Sequence, residues 1–428
     1  MVSLIPNIRT QTIPGPGSVD LARRLKAVEC SEITFLSSDF PVFWRSADGC
    51  LITDVDGNTF LDATSSFGAM GVGHGHPRVQ ASIERQASIL VHGMGDVHPS
   101  EVKVRLLERI AQFSPIPNSR IILGQNGSDA VEAALKTARL ATGRRNVLSF
   151  EGGYHGLSYG ALEVTARSFF REPFADQLAG IGSLLPYACD PQRVVDALAA
   201  DPEIGAVIVE PIQGRAGIRI PPAGWLAHVK EACAAAGALL ILDEIFTGWG
   251  RTGWWFACKH DKVAPDLLCV GKAMGGGMAI SACIGSQDLM EAAWGTGSTG
   301  EARHTYTFLG QPLACAAACA AIEAIHLDKL VTRSREVGER LLADLNAMAG
   351  GHSDLVAAVR GRGLMIGVEL RDRQRVWPAV VAALRRGLIV LPAGDAGNVI
   401  EIVPPFVIAP EQTSFLVSVL DECLTLVR

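Results

Sequence analysis

Several things are missing from this chain of 428 residues. No apolar run reaches the length a bilayer needs, so no transmembrane helix is expected. The best candidate, Gly237-Ala-Leu-Leu-Ile-Leu-Asp243, is strand-sized and ends in acid. No basic stripe stands out, and 38 basic against 44 acidic residues give a net charge of −6, which argues against nucleic acid as a partner. The 10 cysteines form no C-x-x-C pair and no Cys/His metal spacing, so no metal is expected. The start, Met1-Val-Ser-Leu-Ile-Pro6, lacks the regions of a signal peptide. Together these suggest a reduced, cytoplasmic protein with free buried thiols. Internal repeats and low-complexity tracts are absent as well.

What is present is an ordinary folded composition, 48% apolar and 19% charged, with length for two to three domains. Residues 1–35 read as an arm, punctuated by Pro14-Gly-Pro-Gly17 and followed by an amphipathic stretch at Val19–Val28. Leu51–Leu61 predicts a hairpin turning at Asp56-Gly57-Asn58, and Pro77 is placed to open a helix. From about residue 100 helix and strand patterns alternate. Strands are predicted at Arg120–Leu123, Asn146–Phe150, Ala206–Val209, Leu239–Leu242, Asp266–Val270 and Ile280–Ile284. Several are continuously apolar, as in strands covered on both faces. Ser128–Thr142 is helical, with Val131, Leu135 and Ala138 on one face. Cys315 and Cys319, one helical turn apart, read as helix packing. The pattern predicts an α/β fold with a mostly parallel sheet. A second α/β section follows, with one long helix over about 314–349, a strand at Leu364–Leu370, a helix near Val376–Arg386, a strand at Val399–Val403 and a last helix from Glu411.

Three strand ends carry chemistry. Gly124-Gln-Asn-Gly-Ser-Asp129 stands before a helix, with Ser128 as its expected N-cap. That is a plain capped helix, or a phosphate site fed by free N–H groups and the helix dipole. Leu239–Leu242 runs into Asp243 and Glu244. Such an acid caps a turn, or holds a cationic ring nitrogen. Lys272 sits between an apolar strand and the glycine run Gly275-Gly-Gly277. A lone Lys there is usually a snorkelling surface residue, but in a dry pocket it forms a Schiff base with an aldehyde. Jointly they supply an anion site, a carboxylate for a pyridinium and an amine for an aldehyde, the handles of pyridoxal 5′-phosphate.

The sequence resembles the class III aminotransferases, pyridoxal-phosphate enzymes of fold type I, across nearly the whole chain. The resemblance is carried by Asp54-Val-Asp-Gly57, Gly73-His-Gly-His-Pro77, Gly127-Ser-Asp-Ala-Val-Glu-Ala-Ala-Leu-Lys136, Tyr154-His-Gly156, Glu210-Pro-Ile-Gln-Gly214, Asp243-Glu-Ile245, Thr247-Gly-Trp-Gly-Arg-Thr-Gly253, Gly271-Lys-Ala273, Thr307-Phe308, Arg360-Gly-Arg-Gly-Leu364 and Pro404-Pro405. It implies an arm with part of a small domain (1–65), a large cofactor-binding domain with a mostly parallel sheet (66–318) and a smaller C-terminal α/β domain (319–428). It also implies roles. Lys272 carries the cofactor and moves the proton. Asp243 pairs with the ring nitrogen. Gly127 and Ser128 hold the phosphate. Tyr154 and Ile245 enclose the ring, and Glu210 lies near it. Thr307 reaches a phosphate in the other subunit of a homodimer. His155 is expected as a supporting residue.

Three positions depart from the family pattern. Phe246 stands where many members have a Gln that bonds the ring hydroxyl. Leu157 stands where members that bind a distal carboxylate carry Arg. Glu401, in Val399-Ile-Glu-Ile-Val-Pro-Pro405, stands where an Arg forks onto the substrate α-carboxylate. Members with that Arg often carry a Glu where this chain has Arg215. A reversed Arg215–Glu401 salt bridge is one expectation, because an unpaired buried charge is costly; the other is that Glu401 helps choose the substrate and Arg215 swings to bind the carboxylate of a keto-acid partner. With both carboxylate sites altered, the substrate expected is a primary amine without an α-carboxylate, such as an amino sugar of the aminoglycoside type. Ala-, Arg- and Gly-rich usage is compatible with antibiotic biosynthesis. The alternative is an epimerase, racemase or aminomutase on the same scaffold. It needs a second proton carrier, for which His304, Tyr306 and Cys283 are candidates, or a swing of one Lys.

Overall fold

The computed structural model describes residues 5–295 and 301–428. Its centre is a seven-stranded sheet. In chain order the strands are β1 (Ser119–Gly124), β2 (Asn146–Phe150), β3 (Gly182–Leu185), β4 (Ile204–Val209), β5 (Leu239–Asp243), β6 (Leu267–Val270) and β7 (Ser281–Ser286). Across the sheet they run β1-β7-β6-β5-β4-β2-β3. Neighbours from β6 to β3 are parallel, and β7 is antiparallel to both β6 and β1. The mostly parallel sheet is therefore present, and β3 is a strand the apolar pattern did not reveal.

All of Ile204–Val209 is buried, because helices cover both faces. The alternation along β5 shows it. Leu240 and Leu242 pack into a cluster with Trp225 and Leu226 of the helix Trp225–Ala236. Ile241 points the other way, into a cluster with Val131, Ala134 and Leu135 of the helix α1 (Gly127–Thr142). Each such aliphatic side chain contributes about 2 kcal/mol of burial.

The hairpin forms as expected, Leu51–Asp54 against Thr59–Asp62, with Gly57 at φ +82° in the turn. Leu388–Ile389 adds to it in parallel, so an early and a late segment share one sheet. A further antiparallel sheet orders Val356–Arg362, Met365–Leu370, Val399–Ile402 and Leu391–Ala393. Pro77 opens a helix ending at Ile89.

Two expectations need correction. The long helix over 314–349 is two helices, α2 (Pro312–Leu327) and α3 (Leu330–Gly350), broken where Lys329 turns to φ +54°. Neither Gly nor Pro marks the break, so its position is not written in the local pattern. The N-cap of α1 is Asn126, not Ser128. The Asn126 side chain accepts from Asp129 N at 3.2 Å, and the Asp129 carboxylate accepts from Gln125 N at 2.8 Å. Ser128 sits within the first turn. All ten cysteines are free, seven of them buried and Cys30 exposed. Among the described residues no helix is long and apolar enough to cross a membrane, and no cluster of ligating side chains suits a metal ion.

Candidate active site

The chemistry gathers where the parallel strands end. β1 leads into α1, β2 leads to Tyr154 and His155, β4 to Glu210, β5 to Asp243 and β6 to Lys272. This carboxyl edge is where open α/β sheets bind ligands. A cavity of about 600 Å³ there is lined by Gly127, Ser128, Tyr154, His155, Leu157, Glu210, Arg215, Asp243, Ile245, Phe246 and Lys272. An adjoining cavity of about 490 Å³ shares Tyr154, Arg215, Phe246 and Lys272 and adds Phe67, Arg167 and Glu401.

One end is built for an anion. The capping box holds Asp129 N, Gln125 N and Asn126 N. Among the described residues nothing takes up the N–H groups of Gly127 and Ser128, which open a 16-residue helix. Free N–H groups and the helix dipole favour a phosphate there. Ser128 Oγ accepts from Leu157 N at 3.2 Å. That approach needs Gly156, at φ +123°, where a Cβ would fall 2.0 Å from Ser128 Oγ.

The middle holds a carboxylate in fixed orientation. Asp243 Oδ2 lies 2.7 Å from His155 Nδ1, and Oδ1 accepts from Ile245 N at 3.1 Å. Burial works against a protonated His155, but Asp243 and Glu210 outweigh it, so its pKa is raised. The His155 contact thus fixes the orientation of the Asp243 side chain. Glu210 accepts from Tyr154 N and Gly214 N, each at 3.0 Å. Burial is the largest influence on its carboxyl, which is pushed up to about 7.

Lys272 follows β6 after the extended Gly271 and takes φ +47° itself. A non-glycine residue there stores backbone strain, and the turn aims the side chain into the cavity. Its Nζ lies 3.7 Å from the centre of the Phe246 ring. Burial lowers its pKa, opposed by Glu401, Asp243 and Glu210. Glu401 comes from the separate strand Val399–Ile402 and is buried; burial raises its pKa, opposed by Lys272 and Arg215.

The expected Arg215–Glu401 salt bridge is not formed among the described residues. The Arg215 guanidinium instead lies 5.1 Å from the Tyr154 ring centre and 5.7 Å from that of Phe170. The two charges face one cavity without an ion pair. Contact with two rings holds the guanidinium while leaving its donor edge in water. Thr307 is exposed and lies outside the cavity of its own chain. The three candidates for a second proton carrier are also outside. Cys283 faces Cys269 across β7 and β6, Tyr306 Oη donates to Leu123 O at 2.7 Å, and His304 sits 3.3 Å from Lys136 Nζ.

Sequence reasoning missed Phe67 and Arg167. Phe67 ends a run, Ser65–Phe67, with all three φ angles positive. No turn residue but Gly68 signals it. Arg167 sits in a segment without periodicity, so only the fold brings it to the cavity.

The residues present fit pyridoxal phosphate. Two free N–H groups face the anion end, a buried carboxylate stands in the middle, and a half-buried amine lies beyond it. The comparisons agree. The model of the family "Aminotransferase class-III" matches residues 36–424. An acetylornithine aminotransferase of Methanosarcina mazei is 37% identical over 385 residues, covering 89% of this chain and 91% of that protein. An alanine/serine racemase of Pyrococcus horikoshii is 32% identical over 441 residues, covering 96% and 91%. The crystal structure of ornithine aminotransferase from Toxoplasma gondii superposes with a TM-score of 0.88 at 28% identity, covering 98% of this chain and 96% of that one. With its sheet, its phosphate-ready helix and its Asp243–Lys272 pair in place, the chain belongs to the class III aminotransferases, pyridoxal-phosphate enzymes of fold type I.

Proposed function

We propose that this enzyme moves an amino group between a primary amine without an α-carboxylate, an amino sugar of the aminoglycoside type, and a carbonyl acceptor. The observation that carries the reading is Glu401. A buried carboxylate faces the same cavity as Lys272. An amino-acid carboxylate is repelled there, and a polyamine is attracted. Leu157, half-exposed on the cavity wall, adds no charge. Glu401 stands where the family pattern has an Arg that binds the substrate α-carboxylate. An amino-sugar substrate is in keeping with antibiotic biosynthesis.

When bound, pyridoxal phosphate supplies an electron sink for the pair left on the amine-bearing carbon. The chain supplies the rest. Gly127 and Ser128 hold the phosphate by their N–H groups. Asp243, oriented by His155, would hold the protonated ring nitrogen. Tyr154 and Ile245 enclose the ring, and Glu210 fixes the Tyr154 backbone beside it. Lys272 Nζ, aimed into the cavity, would be the group that accepts and passes on the proton leaving the amine-bearing carbon. Its burial-lowered pKa keeps more of it neutral and so able to act as a base. Thr307 completes the phosphate site of the other subunit in a homodimer.

The test is a half-reaction of the loaded enzyme with aminoglycosides and simple amines, in heavy water and without keto acid. Stoichiometric conversion to pyridoxamine phosphate by an aminoglycoside is the expected result, and Glu401→Ala weakens that amine by at least about tenfold. Conversion by α-amino acids alone overturns the substrate class. Similarity to an alanine/serine racemase, 32% identical and covering 96% of this chain, favours a second reading, isomerisation. It predicts deuterium in recovered amine with no pyridoxamine phosphate formed.

A further inference from the structure

Amino transfer needs an acceptor, and an acceptor that is a keto acid has the opposite charge to a polyamine. One cavity must then take both in turn. Two guanidiniums at its mouth have no assigned role. Arg167 lies 5.7 Å from the centre of the Phe170 ring, and Arg215 lies 5.7 Å from the same ring. Tyr154 meets Phe170 edge to face at 5.7 Å and carries Arg215 on its own ring at 5.1 Å. Both arginines line the cavity that also holds Lys272 and Glu401. Among the described residues neither forms an ion pair or a side-chain hydrogen bond. Two like charges held around one ring repel each other. Stacking relieves this only in part, because each planar fork keeps its donors free. A bound carboxylate removes the repulsion and uses those donors. Depth separates this pole from the other one, since Glu401 is buried whereas Arg215 is exposed and Arg167 half-buried.

The geometry points to Arg167 and Arg215, braced by Phe170, as the carboxylate-binding pole for an anionic keto-acid co-substrate, opposite the Glu401 pole that takes the amine. The inference rests on the transaminase reading above and names the class of its acceptor. The two poles let one cavity alternate between a cation and an anion without moving a loop.

The experiment uses two probes of equal length on the enzyme loaded with pyridoxamine phosphate, which has no aldehyde to react with an amine: glutarate for the anion and 1,5-diaminopentane for the cation. Binding is followed by calorimetry in wild type, Arg167→Gln, Arg215→Gln and Glu401→Gln. Cofactor content and thermal unfolding verify that each variant is folded. Arg167→Gln and Arg215→Gln are each expected to weaken glutarate by about tenfold or more while leaving the diamine within about twofold. Arg167→Lys, which keeps charge but not the fork, recovers part of the loss. Glu401→Gln is expected to weaken the diamine and leave glutarate unchanged or tighter. Glutarate binding that is undetectable in wild type, or indifferent to both arginines, overturns the inference. A diamine indifferent to Glu401 with glutarate still dependent on the arginines overturns the amine assignment alone and leaves the acid pole standing.

Discussion

Lys272, Glu401, Glu210 and Asp243 bring an amine and three carboxylates into one dry space, and each resident charge depends on its neighbours. Burial lowers the pKa of Lys272 and raises those of Glu210 and Glu401. For Glu210 this is also a statement about stability. Its carboxyl ionises near 4.5 in the unfolded chain and near 7 in the folded one. Between those values the folded state keeps a proton that the unfolded state gives up. This contribution is therefore greatest at low pH and is lost as pH rises from 4.5 to 7. The raised pKa of His155 has the same sign in a higher window. Glu210→Gln should remove about 3 kcal/mol of the decline in apoenzyme stability across the Glu210 window, read from urea midpoints at several pH values. An unchanged decline would place the ionisation elsewhere.

At the scale of elements, Phe246 shows how tightly the pieces are keyed. A Cβ on Gly214 would fall 2.2 Å from its ring, and one on Gly68, at φ +82°, would fall 2.5 Å away. The ring is wedged between the loop after β4 and the strained turn after Ser65. Gly214→Ala should cost about 1–3 kcal/mol by overpacking, and Phe246→Leu in the same chain should return part of it; chemical denaturation of the four variants measures the coupling. Arg251 binds more distant parts. It is fully buried, donates to Leu364 O at 3.0 Å, Pro404 O at 2.5 Å and Ser65 Oγ at 3.2 Å, and lies 4.5 Å from the centre of the Phe406 ring. It joins the turn at Ser65 to the segments flanking the C-terminal sheet. Arg251→Met should therefore lower stability by about 3 kcal/mol or more, because two buried carbonyls lose their donor. Retained stability in a thermal melt would show that water replaces it.

For the whole molecule, the question is how many chains make one site. Thr307 is exposed and does not line the cavity of its own chain, so a shared site makes a sharp prediction. Lys272→Ala and Thr307→Asp should each bind the cofactor poorly or inactively alone. Mixed dimers should recover one complete site, pairing Lys272 of the Thr307→Asp chain with Thr307 of the Lys272→Ala chain. Amine-driven cofactor conversion in the mixture should reach about one quarter of wild type, from the statistics of random pairing into two-site dimers. No recovery at all would mean that the sites are not shared.

The sequence alone determined a good deal. Apolar runs identified six of the seven strands of the central sheet, because strands buried on both faces need no alternation. Polar residues at their ends identified Lys272, Asp243 and the start of α1, because a strand that stops at a ligand must change character there. The helix break at Lys329 and the strand β3 were not legible, since neither carries a composition that differs from its surroundings. Local pattern also misplaced the cap of α1 by two residues, because Asn126 and Ser128 are both good caps and only the backbone path chooses between them. The relation of Arg215 to Glu401 belonged wholly to the tertiary structure. The sequence supplied two opposite charges, and charge alone predicts a pair. Packing put Arg215 against Tyr154 and Phe170 and left Glu401 buried with Lys272. Arg215 and Glu401 stand 186 positions apart in the chain, and only the fold decides which charges share a cavity.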